Sequence, residues 1–296
     1  MFIKKQTGGI IYYTSSLLDT FGINHMFCTR FGGVSSGDFA SLNVSSARKD
    51  TSGNTDSPLN IAENYRRALS VLGTVPEQTT AAQQTHSDIV LEATASDAGK
   101  GVVPGIAVMD SCDGIILRNN TENINTVCVK TADCVPILLA DISTSDVCAV
   151  HAGWRGSAAD IAAKAAIRLS CGKPENIVAA IGPCIGSCCY EIGTEVYDEF
   201  SRLFRSKAYN YNLDTIFSLI PSCTASCTPH LDLAKANAQL LALCGVKEEN
   251  IDISRICTCC HRNESGEHEF FSHRGQSGHS GTFISAISSK KQSQKD

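Results

Sequence analysis

Short apolar runs bounded by polar turns dominate the chain, and their internal period alternates between two and about 3.6 residues. GIIYY at 9–13 and NHMFCT at 24–29 read as short strands. They are followed by RFGGVSSGDFASLNVSSARKDTSGNTDSP, whose glycines, serines and aspartates favour turns over any regular element. A loop of that length is either functional or disordered. Residues 30–43 carry the sharper chemistry, and 46–57 read as a mobile excursion.

SPLNIAENYRRALSVLG changes the period to that of a helix. Ser57 can cap it and Pro58 can take its first position; Ile61, Tyr65, Leu69 and Leu72 share one face, and Gly73 stops it. AAQQTHSDIVLEA then gives two short strand pieces with His86 between them. DSCDGIILRN is a polar-bounded apolar run. INTVCVKTADCVPILLAD and DVCAVHAG read as two neighbouring strands joined by ISTS, and SAADIAAKAAIRLSCG as a helix. ENIVAAIGP is a further strand; EIGTEVYDEFSRLF and LDLAKANAQLLALCG are further helices, the latter closed by Gly245. This irregular alternation predicts one mixed α/β domain over 1–289, with KKQSQKD at 290–296 as a polar, frayed tail.

Composition narrows the class. The chain has 296 residues, 43% apolar and 19% charged, with a formal net charge of −5. Nothing here suggests a nucleic-acid partner. No run approaches the length of a membrane span, and the N-terminus has no continuous apolar h-region, so the expected location is cytoplasmic. Fifteen cysteines cannot all pair within the chain. Cys128, Cys148 and Cys244 sit in apolar surroundings and read as reduced core residues. CIGSCC (184–189), CTASC (223–227) and CTCCH (257–261) show spacings that depart from paired C-x2-C knuckles, so packing or turn roles are expected for them, with a second metal cluster or redox pairing as the alternatives.

Candidate chemistry concentrates in three places. His86 lies in polar QQTHSD, Cys134 follows Asp133 in TADCVPILL, and His151 ends the apolar run of VCAVHAGWRG. A His/Cys/His trio can hold Zn²⁺ with a fourth position open. The same atoms also suit a nucleophilic Cys134 with a histidine base, or plain structural roles, and spacing alone leaves these open. Arg155, in GWRG ahead of a helix, suits an anion. No Walker A or GxGxxG sequence supports ATP or dinucleotide binding. A four-copper oxidase needs about ten histidines; this chain has eight.

TRFGG with SLN (29–43), QTH (84–86), TADCVPILLAD (131–141), HAGWRG (151–156), IGPCIGSCCYEIG (181–193), LDL (231–233) and the closing CT with FFSHR together resemble one family, in order over roughly 25–288. It is the multicopper polyphenol oxidoreductase (laccase-like) family, described as purine nucleoside phosphorylases with adenosine deaminase activity, and in part as peptidoglycan-editing factors. The resemblance implies a single α/β domain with a mixed β-sandwich, similar to cysteine-hydrolase-like toxin domains. It implies zinc on His86, Cys134 and His151, and purine nucleosides plus inorganic phosphate as small-molecule partners. Arg30, Asn43, Arg155 and Arg274 lie in its motifs and are the expected phosphate or sugar contacts. Asp133 is expected to orient a ligand or transfer a proton; strand alternation would turn it away from Cys134. Many members carry further arginines where this chain has Gly275 and His279, which implies a less cationic phosphate site here. A muropeptide-editing amidase, a cysteine hydrolase using Cys134 and a non-catalytic binding protein are the alternatives; oligomerisation is not indicated.

Overall fold

Two six-stranded sheets face each other, and the chain passes between them several times. The computed structural model describes residues 1–206, 213–221 and 227–289. The first sheet orders β1 (Phe2–Thr7), β2 (Ile10–Ser15), β3 (Asn24–Cys28), β14 (Phe283–Ser288), β7 (Thr126–Thr131) and β4 (Thr79–Ala81). The second orders β13 (Ile251–Ile253), β10 (Ile177–Ile181), β8 (Val135–Asp141), β9 (Val147–Ala152), β6 (Gly114–Leu117) and β5 (Val90–Glu92). β11 (Phe217–Pro221) and β12 (Cys227–Leu231) form a separate hairpin. Most pairs are antiparallel, whereas β4–β7, β5–β6 and β10–β13 are parallel. Helices are α1 (Ser16–Thr20), α2 (Pro58–Ser70), α3 (Trp154–Ala158), α4 (Ile161–Leu169), α5 (Thr194–Ser206) and α6 (Leu233–Leu243). This is a single α/β domain with mixed sheets flanked by helices.

Strand alternation sorts the core into three layers. Phe27, Val127, Val129 and Phe283 of the first sheet meet Leu138, Ala149 and Ala180 of the second. Their neighbours Met26, Cys28, Cys128 and Ile284 face outward onto Ile61, Tyr65 and Leu69 of α2. On the far side, Ile137, Cys148, Val150 and Ala179 pack on α4, α5 and α6. Cys128 and Cys148 are thus core residues, and burial pushes the Cys128 thiol up to about 12.

Helix α2 matches the sequence pattern: the Ser57 side chain accepts from the Leu59 amide at 3.3 Å, and Gly73 takes a positive φ. Three expectations change. INTVCVKTADCVPILLAD is two strands in different sheets, β7 and β8, and residues 132–134 form the crossing. SAADIAAKAAIRL is two helices broken at Asp160, which is left-handed at φ 68°. Ser157 of α3 accepts a bond from Asn237 of α6 at 2.8 Å, which fixes the short helix separately from α4. Residues 46–57 are tied down rather than free: Thr51 donates to Asp38 at 2.8 Å, and buried Asp56 accepts from Ser35 and Asn43. Strand β1, exposed and carrying two lysines, is an edge strand that the apolar pattern did not mark. Residues 290–296 and most of CTASC lie outside the described residues.

Candidate metal centre and active site

Topology brings four side chains to one end of the sandwich. β8 and β9 are antiparallel with Val135 opposite Ala152, so the start of β8 lies beside the end of β9. β6 and β9 are antiparallel with Gly114 opposite Val150, which places Asp113 at the same end. β4 and β7 run parallel and both exit toward the second sheet, through 82–89 and 132–134 respectively. The crossings deliver His86 and Cys134; the end of β9 delivers His151.

The ligating atoms of His86, Cys134 and His151 all lie within 4.8 Å of one another. Cys134 Sγ is 3.9 Å from His86 Nε2, and the two imidazoles meet edge-on at 4.9 Å. His86 sits at φ 62°, a left-handed conformation that turns the loop sharply. Gly153, the residue before α3, permits the approach: a Cβ there would stand 2.8 Å from His86 Cδ2 and 3.3 Å from Cys134 Sγ.

Behind the trio sits a residue that sequence reasoning passed over. Asp113 is buried, and its Oδ1 accepts from His151 Nδ1 at 2.7 Å and from the His86 amide at 3.1 Å. Its Oδ2 accepts from the Ser87 amide and hydroxyl, each at 2.7 Å, and from the Thr85 amide at 3.2 Å. Burial opposes ionisation, but the bonds from His151 and Ser87 outweigh it and hold the carboxyl well below the usual carboxylate range. One carboxylate therefore fixes the His86 loop and the His151 ring, leaving Nε2 as the free nitrogen of His151.

Cys134 and His151 polarise each other. Burial alone would raise the thiol, yet His151 and then His86 outweigh it and bring Cys134 down to about 6. Burial likewise disfavours imidazolium, but the Cys134 thiolate and Asp113 carboxylate hold His151 up to about 9. Two imidazoles and a thiolate, with a buried carboxylate orienting one ring, form a donor set that fits zinc or another borderline-soft dication.

His86 and Cys134 line a cleft of ≈ 280 Å³ that Arg48, Arg155 and Arg274 also line. Trp154, Tyr190 and Leu233 supply its apolar wall. Arg155 stacks on Trp154 at 4.2 Å, and Arg274 is braced by the carbonyls of Cys189 and Glu191 at 3.3 and 3.2 Å. Arg48 contacts His273 Nδ1 at 3.0 Å. Its only sequence signal was a cation in the loop read as mobile. A larger cavity of ≈ 380 Å³ lies beside Cys188 and Cys257; chemistry rather than size identifies the smaller one.

The remaining expected site residues sit elsewhere or act differently. Arg30 donates to the Ala40 carbonyl at 2.6 Å and stacks on Phe271 at 4.8 Å. Asn43 is fully buried, bonded to Ser45, Asp56 and Thr282. Neither lines the cleft. Asp133 has a φ of 87°, so strand alternation does not govern it. Its carboxylate accepts from Thr258 Oγ1 at 2.6 Å and from the Arg274 amide at 2.7 Å, which makes it an anchor for the C-terminal loops. His279 faces the Asp50 carbonyl at 3.1 Å, and Gly275 bonds back to Ser272.

Comparison with known proteins gives the chain its family. A family described as multi-copper polyphenol oxidoreductase laccase matches residues 24–290. A protein of Bacteroides thetaiotaomicron named purine nucleoside phosphorylase is 30% identical over 282 residues, spanning 92% of this chain and 93% of its own. Adenosine deaminase RL5, from an unknown prokaryotic organism, is 35% identical over 184 residues, 61% of this chain and 63% of its own. The crystal structure of the Bacillus licheniformis hypothetical protein YfiH superposes with a TM-score of 0.80 at 28% identity, covering 97% of this chain and 99% of that one. Only two histidines enter the trio, and among the described residues the one other metal-capable cluster contains no histidine. With the family matched over residues 24–290 and a relative covered along most of its length, the chain belongs to the multi-copper polyphenol oxidoreductase laccase family, a family whose relatives here bear nucleoside-enzyme names.

Proposed function

We propose that this protein is a zinc-dependent purine nucleoside phosphorylase that also deaminates adenosine. The observation that carries the reading is a cleft in which His86 and Cys134, backed by buried His151, meet three arginines and an aromatic wall. The names of its relatives supply the substrate class. Zinc held by the trio would supply Lewis-acid activation of a water for attack at C6 of adenine.

The chain's own residues divide the remaining work. Arg155 and Arg274 are exposed guanidiniums suited to bidentate contact with phosphate, and Arg48 adds a third positive charge. Trp154, Tyr190 and Leu233 offer apolar surface for a purine ring. Burial and the nearby Cys134 charge push Tyr190 up to about 12, so it meets the base as a neutral phenol. Asp133 positions: it holds the Arg274 backbone beside Cys134. In phosphorolysis a phosphate oxygen forms the bond to ribose C1′ while the C1′–N9 bond breaks and the purine leaves with the electron pair. The arginines hold the attacking anion in place for that displacement.

Metal-defined protein incubated with adenosine, with and without inorganic phosphate, tests the reading. Adenine plus ribose-1-phosphate is expected only with phosphate, and inosine is expected without it. Absence of turnover of every purine nucleoside would overturn the proposal.

One observation favours a second reading. Cys134, His151 and Asp113 are arranged as nucleophile, base and orienting carboxylate, the set a cysteine hydrolase uses. Cleavage of a muropeptide precursor by chelator-treated protein, lost on Cys134→Ala, would establish it in place of the zinc reading.

A further inference from the structure

A second group of cysteines is assembled where β10 and β13 end. These strands are parallel, and the ladder continues as a bridge between Cys184 and Cys257, so the loops leaving both strands emerge together. Beyond that bridge, the sulfur atoms of Cys188, Cys189, Cys257 and Cys260 all lie within 4.8 Å of one another. In sequence, Cys257 and Cys260 form a C-x2-C pair that the intervening Cys259 disguises. The partner half is the adjacent pair Cys188–Cys189.

Hydrophobic packing does not account for this group. Cys28, Cys112, Cys128 and Cys148 lie in the apolar clusters, whereas Cys188 and Cys260 are exposed. Nor are these cysteines disulfide-bonded: all four are free, and the Cys188 and Cys260 sulfurs stand 3.6 Å apart. A tetrahedral site with Zn–S bonds of about 2.3 Å sets its sulfurs roughly 3.8 Å apart. The backbone adds a feature suited to thiolate, since the Gly186 amide donates to Cys257 Sγ at 3.2 Å. A Cβ at Gly186 would stand 3.2 Å from Cys188 Sγ and from Cys257 Cβ, so glycine lets the backbone reach the sulfurs. The turn over 257–261 is closed by the His261 amide donating to the Cys257 carbonyl at 3.0 Å, which holds Cys257 and Cys260 on one turn.

We propose that Cys188, Cys189, Cys257 and Cys260 form a second metal centre, a four-thiolate structural zinc site separate from the His86–Cys134–His151 trio. Its role follows from its neighbours. Tyr190 directly follows Cys189 and lines the active cleft, and the Cys189 carbonyl braces Arg274. Thr258, between the two knuckle cysteines, bonds Asp133. The clip therefore ties together two loops that shape one wall of the cleft.

Zinc content per chain, measured by elemental analysis on reduced protein, tests the site. The C188S/C260S variant, which changes two exposed residues, is expected to lose one equivalent relative to wild type and to keep the equivalent that C134A removes. In native wild-type protein, Cys188 and Cys260 are expected to resist alkylation until a strong chelator is added. Unchanged zinc content in C188S/C260S, or equal alkylation with and without chelator, would overturn the proposal. So would an intact mass short by two hydrogens with these cysteines linked, which would make the cluster a disulfide. Because each variant subtracts its own equivalent, failure of this site and failure of the trio are separable.

Discussion

Asp113→Asn probes the site at its buried hub. Every group facing this carboxylate is a donor: His151 Nδ1 and the His86 amide on Oδ1, the Ser87 amide and hydroxyl and the Thr85 amide on Oδ2. Asparagine presents one oxygen and one NH₂, so one set must lose its acceptor. If NH₂ faces Ser87 and Thr85, buried amides are stranded at about 1–3 kcal/mol each. If it faces His151, Nδ1 must become the acceptor, which moves the ring proton to Nε2 and removes the nitrogen available for metal. Loss of such an orienting carboxylate typically lowers metal affinity about 10–100-fold, or about 1.4–2.8 kcal/mol. The assay is chelator competition for zinc alongside thermal unfolding of the metal-free protein. A variant that binds zinc within twofold of wild type and unfolds at the same temperature would refute the hub role.

Other expectations are equally direct. Gly153→Ala brings a methyl to 2.8 Å from His86, so zinc affinity should drop at least tenfold with little change in the metal-free melting temperature; retained affinity would show that the His86 loop yields freely. Because His151 draws the Cys134 thiol down to about 6, alkylation of Cys134 in metal-free protein should be half-maximal near pH 6, falling at lower pH as the thiol protonates. His151→Ala should move that midpoint toward the ordinary thiol range, and a wild-type midpoint already there would contradict the pairing. Arg155→Ala should raise the KM for phosphate several-fold and leave deamination without phosphate nearly unchanged. Asn43→Ala strands the buried amide of Thr282 and the half-buried amide of Ser45 and should destabilise by about 1–3 kcal/mol, while activity per folded molecule stays the same.

Much of this was legible in the chain. Local signals marked α2, α6, β2, β3 and β10, because caps, terminal glycines and period are written within a few residues of each element. The His86–Cys134–His151 trio was also nameable, as one of several readings that spacing left open and that the QTH, TADC and HAGWRG motifs singled out. What sequence could not supply was the pairing. Asp113 meets His151 only because β6 lies against β9, and nothing in DSCDGIILRN indicates that register. TADC read as strand interior because its apolar flanks run on continuously, although the chain changes sheets there and Asp133 turns left-handed. Arg48 was hidden in a polar loop whose anchoring depends on distant Asp38 and His279. The four-cysteine cluster was masked by Cys259, which makes a C-x2-C pair look like a denser run.

Adenosine turnover and zinc content, measured together on wild type and Cys134→Ala, test the central claim most directly. The account predicts that the variant loses one equivalent of zinc and, with it, deamination of adenosine. Full deamination by protein lacking that equivalent would contradict it.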